Sequence, residues 1–289
     1  MSKATIPPLK RFSTNGGTWI DAENCIHVDS PHLLTQISGY AKYVSGSDDR
    51  AVYYRGQGRS YPTLKAALHR VEGHHTIATI GDRHRLLKSY IEAVKRNSAM
   101  LNGTPEHVYE PLLQHYGLRT NWIDIVDNIW IALWFACHEV TACGKFNAFI
   151  NFKRRSSSDP KSAFAYIVIV GFDRLVPIKD QPGSLRSAEY EVVDLRIGAP
   201  SVYVRPHAQH GLVFRRRKID TVAKTDCASS IFGTIRVNLS DALAWLGSGD
   251  LLSVHTLFPP PYYDYGYRQL LESAPEGHSF LNTIAYVGS

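Results

Sequence analysis

Cysteine is scarce in this chain. Four residues out of 289, Cys25, Cys137, Cys143 and Cys227, lie scattered, and none forms a Cys-x-x-Cys. That spacing argues against a disulfide framework and against a zinc ribbon, and it suits a reducing compartment. Long apolar runs are missing as well. The longest, Ile129–Cys137 and Ala163–Phe172, are of core length and fall short of the roughly 18 residues a membrane span needs. The first residues, MSKATIPPLKRFSTNGG, lack the apolar stretch of a secretory leader, so the expectation is a cytoplasmic protein with no membrane partner. No solenoid-period repeat and no long low-complexity linker interrupts the chain. The 13 histidines are dispersed. Only His207-x-x-His210 has ligand spacing, and with no Cys or acidic residue at a fixed offset no metal is assigned.

What is present is the composition of a globular protein, 44% hydrophobic and 20% charged, with a net charge of +6. The basic excess gathers in Lys153-Arg154-Arg155 and Arg215-Arg216-Arg217-Lys218. Such runs hold phosphate in some proteins and are plain solubility charge beside strand ends in others. In an extended strand Arg215 and Arg217 share a face. These two, with Lys153, Arg154 and Arg155, are therefore the expected nucleic-acid contacts.

Local patterning predicts a strand or hairpin over Trp19–Val28 after a loose polar arm of 17 residues. Ser30 reads as the cap of a helix that starts at Pro31 and carries Leu33, Leu34, Ile37 and Tyr40 on one face. A loop follows at 45–49. Ala51–Arg55 then reads as a strand stopped by Gly56. Asp82–Leu101 is an amphipathic helix with a Leu86, Leu87, Tyr90, Ile91 and Val94 stripe. Val108–Tyr116 is a second, ended at Gly117. Asn128–Val140 is a third, apolar nearly all round and so central. Strands are expected at 147–152, 165–170, 201–204, 212–216 and 231–237, with a short one at 254–258. Short helices are expected at 240–246 and 267–272. Helices first and strands after argue for an α+β fold, a largely helical N-terminal part on one mixed or antiparallel sheet.

Three polar clusters stand where packing does not ask for them. Tyr54-Arg55-Gly56-Gln57 puts an always-charged fork at a strand end, beside a glycine that lets a ligand approach the backbone. Gln114-His115-Tyr116-Gly117-Leu118-Arg119-Thr120, with Asp124 and Asn128, runs from one helix into the apolar one. Asp124, Asp127 or Asn128 could cap that helix. Gln209-His210-Gly211 sits at the mouth of a strand, and Glu189-x-Glu191 supplies two carboxylates nearby.

In this order the clusters resemble the FRG domain. Tyr54-Arg55-Gly56-Gln57 matches its signature. Gln114-His115-x-Gly117-Leu118-x-Thr120-x-x-x-Asp124 matches its central motif, Gln209-x-Gly211-x-x-Phe214 its late element, and Leu257-Phe258-Pro259 its close. The resemblance runs over about residues 30–272, with residues 1–29 as an arm and first strand and 30–289 as one domain. Arg119 stands where a proline is common, and Trp122-Ile123 replaces Leu-Leu. The arrangement is also similar to ADP-ribosyltransferases. That similarity implies a fold of that type and an intracellular NAD-dependent ADP-ribosyltransferase, a toxin or phage-defence effector that modifies RNA or DNA and is restrained by a neutralising antitoxin. NAD is then the substrate. Arg55 is its phosphate clamp, and Thr120 and Asp124 form the ribose and nicotinamide wall. Either Gln209 or Glu191 is the third catalytic residue. Tyr54, Arg55, Gly56, Gln57, Gln114, His115, Gly117, Asn128 and His210 form the implied cofactor-binding set. Tyr262, Tyr263 and Tyr265 offer faces for nucleic-acid bases to stack on. A non-catalytic nucleotide- or nucleic-acid-binding module and an NAD glycohydrolase are the alternatives.

Overall fold

The computed structural model describes residues 9–10, 13, 16–47, 49–70, 76–97, 103–156 and 163–288. Most of the predicted 17-residue arm, and the end of the helix expected to reach Leu101, lie outside the described residues. A hairpin, β1 (Thr18–Ile20) and β2 (Cys25–Val28), leads into α1 (Pro31–Ser47) and β3 (Arg50–Gln57). Next come α2 (Ala67–Arg70), α3 (Ile77–Asn97), α4 (Tyr109–His115), β4 (Ile123–Val126) and α5 (Ile129–Cys137). Strands β5 (His138–Cys143), β6 (Phe149–Arg154), β7 (Phe164–Asp173), β8 (Val176–Pro177), β9 (Ser184–Arg186) and β10 (Tyr190–Asp194) follow. The chain then forms α6 (Leu195–Gly198), α7 (Arg205–Ala208), β11 (Gly211–Arg216), β12 (Ile231–Asn238) and α8 (Leu239–Trp245). It closes with α9 (Val254–Leu257), α10 (Tyr265–Ser273) and β13 (Tyr286–Gly288).

Ten strands form one sheet in the order β1-β2-β12-β7-β3-β4-β11-β10-β9-β8. It is mixed, because β12 runs parallel to β2 while its other pairs are antiparallel. Early and late strands interleave, as an α+β reading with a divided sheet expects. The N-terminal hairpin belongs to this sheet, and Leu9 is fully buried in its core. A second sheet, β13-β6-β5, stands apart.

Period-two alternation on β7 builds both faces. Ala165, Ile167 and Ile169 pack with α1 and α5, and Val168, Val170 and Phe172 pack with Phe214 and Tyr190 on the other side. Helix α5 has nine residues, seven of them buried. An isolated helix shorter than about 12 residues is marginal in water. Burial at about 1.5–3 kcal/mol per large apolar side chain supplies what length does not. Its seat is β3, where the backbones meet closely. A Cβ on Gly56 would sit 1.8 Å from the Ala132 carbonyl oxygen. Gly56 therefore does not stop β3, which runs on to Gln57; it admits α5.

Other boundaries differ from expectation for local reasons. Helix α1 extends through Ser45 to Ser47, where a loop was expected. Helix α5 ends at Cys137, and residues 138–143 form a strand rather than its last turn. Residues 201–204 are not a strand; they turn into α7, whose second residue is Pro206. Residues 254–257 are helical because Ser253 Oγ accepts from Thr256 N at 3.0 Å and caps the turn. Residues 123–126, expected only as a lead into the apolar helix, are a strand paired with β11.

Candidate functional site

Strands β3 and β4 pair at one position only, Tyr54 with Val126. Beyond it they separate, and Arg55 bridges the gap by donating from Nη1 to the Asp124 carbonyl oxygen at 2.7 Å. A cavity of about 450 Å³ opens there. Tyr54, Arg55, Gly56, Gln114, His115, Gly117, Asp124 and Gln209 line it, so the three sequence clusters meet in one place. Tyr54 is fully buried, with its hydroxyl 2.6 Å from Ser38 Oγ on α1.

Asp124 is the only Asp or Glu in this lining. Burial raises its pKa, but the His115 ring, the Arg55 charge and the Gln114 amide together hold the carboxyl below the ordinary 3.8. Gln114 Nε2 donates to Asp124 Oδ2 at 2.9 Å, and His115 Nδ1 lies 3.7 Å from Oδ1. Thr120 does not line the cavity. It is fully buried and donates to Gln114 Oε1 at 2.8 Å, which turns the amide nitrogen toward Asp124. Gly211 also acts by contact: a Cβ there would fall 2.6 Å from the His115 ring. The late Gln-x-Gly element and the central Gln-His element are thus two sides of one contact.

Positive charge dominates the cavity. Arg55, Arg70, Arg119 and Arg205 all line it. Desolvation, with Arg70 nearby, pushes Arg55 down to about 10, so it stays charged at neutral pH. Its Nε is buried without a hydrogen-bond partner among the described residues. Arg205 is 2% exposed. It sits between Tyr116 and Tyr267, at 4.3 and 4.2 Å from their rings, and donates to the His115 carbonyl oxygen at 3.3 Å. Its Nε and one terminal nitrogen have no acceptor among the described residues. Phe135, His138, Val140, Ile150, Phe152 and Phe258 also line the cavity, and Arg205 lies 5.3 Å from the Phe258 ring.

Several expected site residues lie elsewhere. Gln57 faces a separate small pocket with Tyr61 and Tyr166. Asn128 caps α5, accepting from Trp130 N at 2.9 Å. His210 turns away to Asp127, with Nδ1 2.9 Å from Oδ1, on a left-handed backbone of φ 50°. Glu191 is outside the cavity lining because Arg215 holds it at 2.9 Å. The basic runs are also largely engaged. Arg215 lies over Trp122 at 4.4 Å, and Arg217 donates to the Ser187 and Ala188 carbonyls. Arg155 is buried and donates to the Ala136 and Phe164 carbonyls. Arg154 donates to the Gly247 carbonyl, and Lys153 pairs with Glu139 at 3.0 Å. Lys153, Arg154, Arg217 and Lys218 remain exposed. Tyr262, Tyr263 and Tyr265 are exposed.

Arg70, Arg119, Arg205 and His138 were not assigned to the site from sequence. Arg205 had a signal, since it begins the Arg-Pro-His stretch before Gln209. The segment 282–287 had none. It reaches the cavity because Ala285 N bonds the Tyr116 carbonyl and Arg119 N bonds that of Leu281. No group of three metal-ligating side chains occurs among the described residues, and no helix of the structure is long and apolar enough to cross a membrane.

Residues 50–144 match the family model of the FRG domain. That stretch holds β3, α4, β4 and α5, hence the first two clusters; Gln209, Gly211 and Phe258 fall beyond it. No curated protein and no solved structure matches the chain.

Proposed function

We propose that the cavity binds NAD and transfers its ADP-ribose to an acceptor. The observation that carries this reading is the pairing of four arginines and one ionised carboxylate with an aromatic wall in a single 450 Å³ space. Arginine forks suit a pyrophosphate, and aromatic side chains suit flat heterocycles. Asp124, rather than Glu191, is the carboxylate placed to face positive charge that develops on the ribose. In the reaction the bond from ribose C1′ to the nicotinamide nitrogen breaks, and its electron pair leaves with nicotinamide. The acceptor's nucleophile bonds to C1′ and gives up its proton to solvent. Gln114, held by Thr120, fixes the Asp124 carboxylate. Gln209, which donates to the Leu257 carbonyl at 2.8 Å, closes the cavity floor beside Gly211.

A chain that consumes NAD or marks nucleic acid in its own cell arrests growth, so the same reading makes it a toxin or phage-defence effector held by a neutralising partner. The test uses the full chain and NAD labelled in its adenylate half. Nicotinamide release, with label passing to protein, RNA or DNA, is expected, and Asp124→Asn should abolish it. Binding without release would make the protein a nucleotide-binding module. Release without transfer would make it an NAD glycohydrolase. Absence of both binding and release overturns the reading.

A further inference from the structure

The aromatic wall of the cavity carries one ring that can read a hydrogen bond. His138 follows α5 and opens β5, beside Phe135, Phe152 and Phe258. Its ring lies on the Trp134 indole at 3.9 Å and 17°, which sets its plane. Nδ1 is 2.7 Å from the Trp134 carbonyl oxygen. A carbonyl only accepts, so Nδ1 carries the proton and Nε2 of the neutral ring carries the lone pair. Burial pushes His138 below 6.5, against the carbonyl, and Arg154 pushes the same way, so the neutral ring prevails at neutral pH. Within the described residues Nε2 has no hydrogen-bond partner, and it is not among the sealed polar atoms. A helix-end carbonyl needing a donor accounts for Nδ1. It does not account for a bare acceptor among phenylalanines lining a cavity, where another phenylalanine would pack as well.

We infer that His138 is the specificity-determining residue of this wall: Nε2 accepts a hydrogen bond from the NH2 group of a flat ring held among Phe135, Phe152 and Phe258. The inference rests on the cavity binding a dinucleotide. In NAD that chemistry occurs twice, as the adenine amine and as the nicotinamide carboxamide. An analogue presenting an oxygen at that point sets lone pair against lone pair and leaves a buried acceptor unmatched.

Calorimetric titration of the full chain compares NAD with two analogues. Nicotinamide hypoxanthine dinucleotide replaces the adenine amine by a carbonyl. Nicotinic acid adenine dinucleotide replaces the carboxamide by a carboxylate. One analogue should bind at least about tenfold more weakly than NAD, and which one identifies the end that His138 reads. His138→Phe should erase that preference and leave the other ratio unchanged, and His138→Gln, whose amide oxygen accepts, should keep part of it. Equal binding of all three by the parent chain overturns the inference and spares the dinucleotide reading, with no variant required. A preference that survives in His138→Phe also overturns it. Binding of none of the three overturns both.

Discussion

Arg55 engages the protein through one hydrogen bond, from Nη1 to a backbone oxygen, and its Nε has no partner among the described residues. A half-buried cation so lightly tied is available to a ligand. Replacing it by alanine should remove a charged phosphate contact worth about 2 kcal/mol, which weakens NAD binding roughly 10- to 100-fold with little change in melting temperature. Calorimetric titration beside a thermal melt checks this, and unchanged affinity in a folded variant overturns the clamp. Asp124 makes a prediction in pH. Its folded-state pKa is lowered, so its contacts contribute fully above the unfolded value of 3.8 and are lost as pH falls through the folded one. The stability difference between the parent chain and Asp124→Asn, from urea melts, should move toward Asp124→Asn as pH falls below about 4, and a difference that stays constant there would place the acid-sensitive group elsewhere.

Helix α5 depends on two residues that do not belong to its apolar face. Gly56 gives it access to β3, and Asn128 caps its first turn. Gly56→Ala drives a methyl into backbone at 1.8 Å, where no side-chain rotation relieves it. The helix must move, and a loss above about 3 kcal/mol or failure to fold is expected in denaturant melts. Asn128→Ala should cost about 1 kcal/mol, the ordinary cap loss, and leave ligand affinity unchanged. A fall in affinity at constant stability would return Asn128 to the cofactor-binding set. At this scale the elements most readable from sequence were those whose own residues settle their burial: the α3 stripe, α5, apolar on every side, and the apolar β7 run. Those decided by partners were not. Ile123-Asp124-Ile125-Val126 is too short to declare itself a strand until β11 lies beside it. The strand-forming residues at 254–257 yield to the Ser253 cap. The polar clusters were visible as chemistry without packing, and Arg55, Gln114, His115, Asp124 and Gln209 do line one cavity. Glu191 and the 215–217 run were legible only as charges, because an ion pair across β10 and β11 depends on a register no local pattern specifies.

The whole molecule is less divisible than the family match suggests. Residues 50–144 contain β3, β4 and α5, which carry most of the motif side chains. Yet β3 and β4 touch at one pair, Tyr54 with Val126, while β3 pairs with β7 over eight positions and β4 with β11 over four. Both partners lie beyond residue 144. Without them two strands would expose unpaired edges, and α5, with seven of nine residues buried in the complete chain, would face water on the side now covered by β7 and α8. The cavity would also lose Arg205, Gln209, Phe258 and the 282–287 segment. A fragment of residues 50–144 should therefore show no cooperative thermal transition and collapsed amide dispersion in a proton–nitrogen spectrum, while the full chain melts cooperatively. Saturating ligand should stabilise the chain by about 2.7 kcal/mol at a hundred times Kd, because it binds the folded state and not the unfolded one. A fragment that melts cooperatively and binds the ligand with the affinity of the full chain would show that the matched stretch is a domain by itself. The later strands would then be its cover and not part of the site.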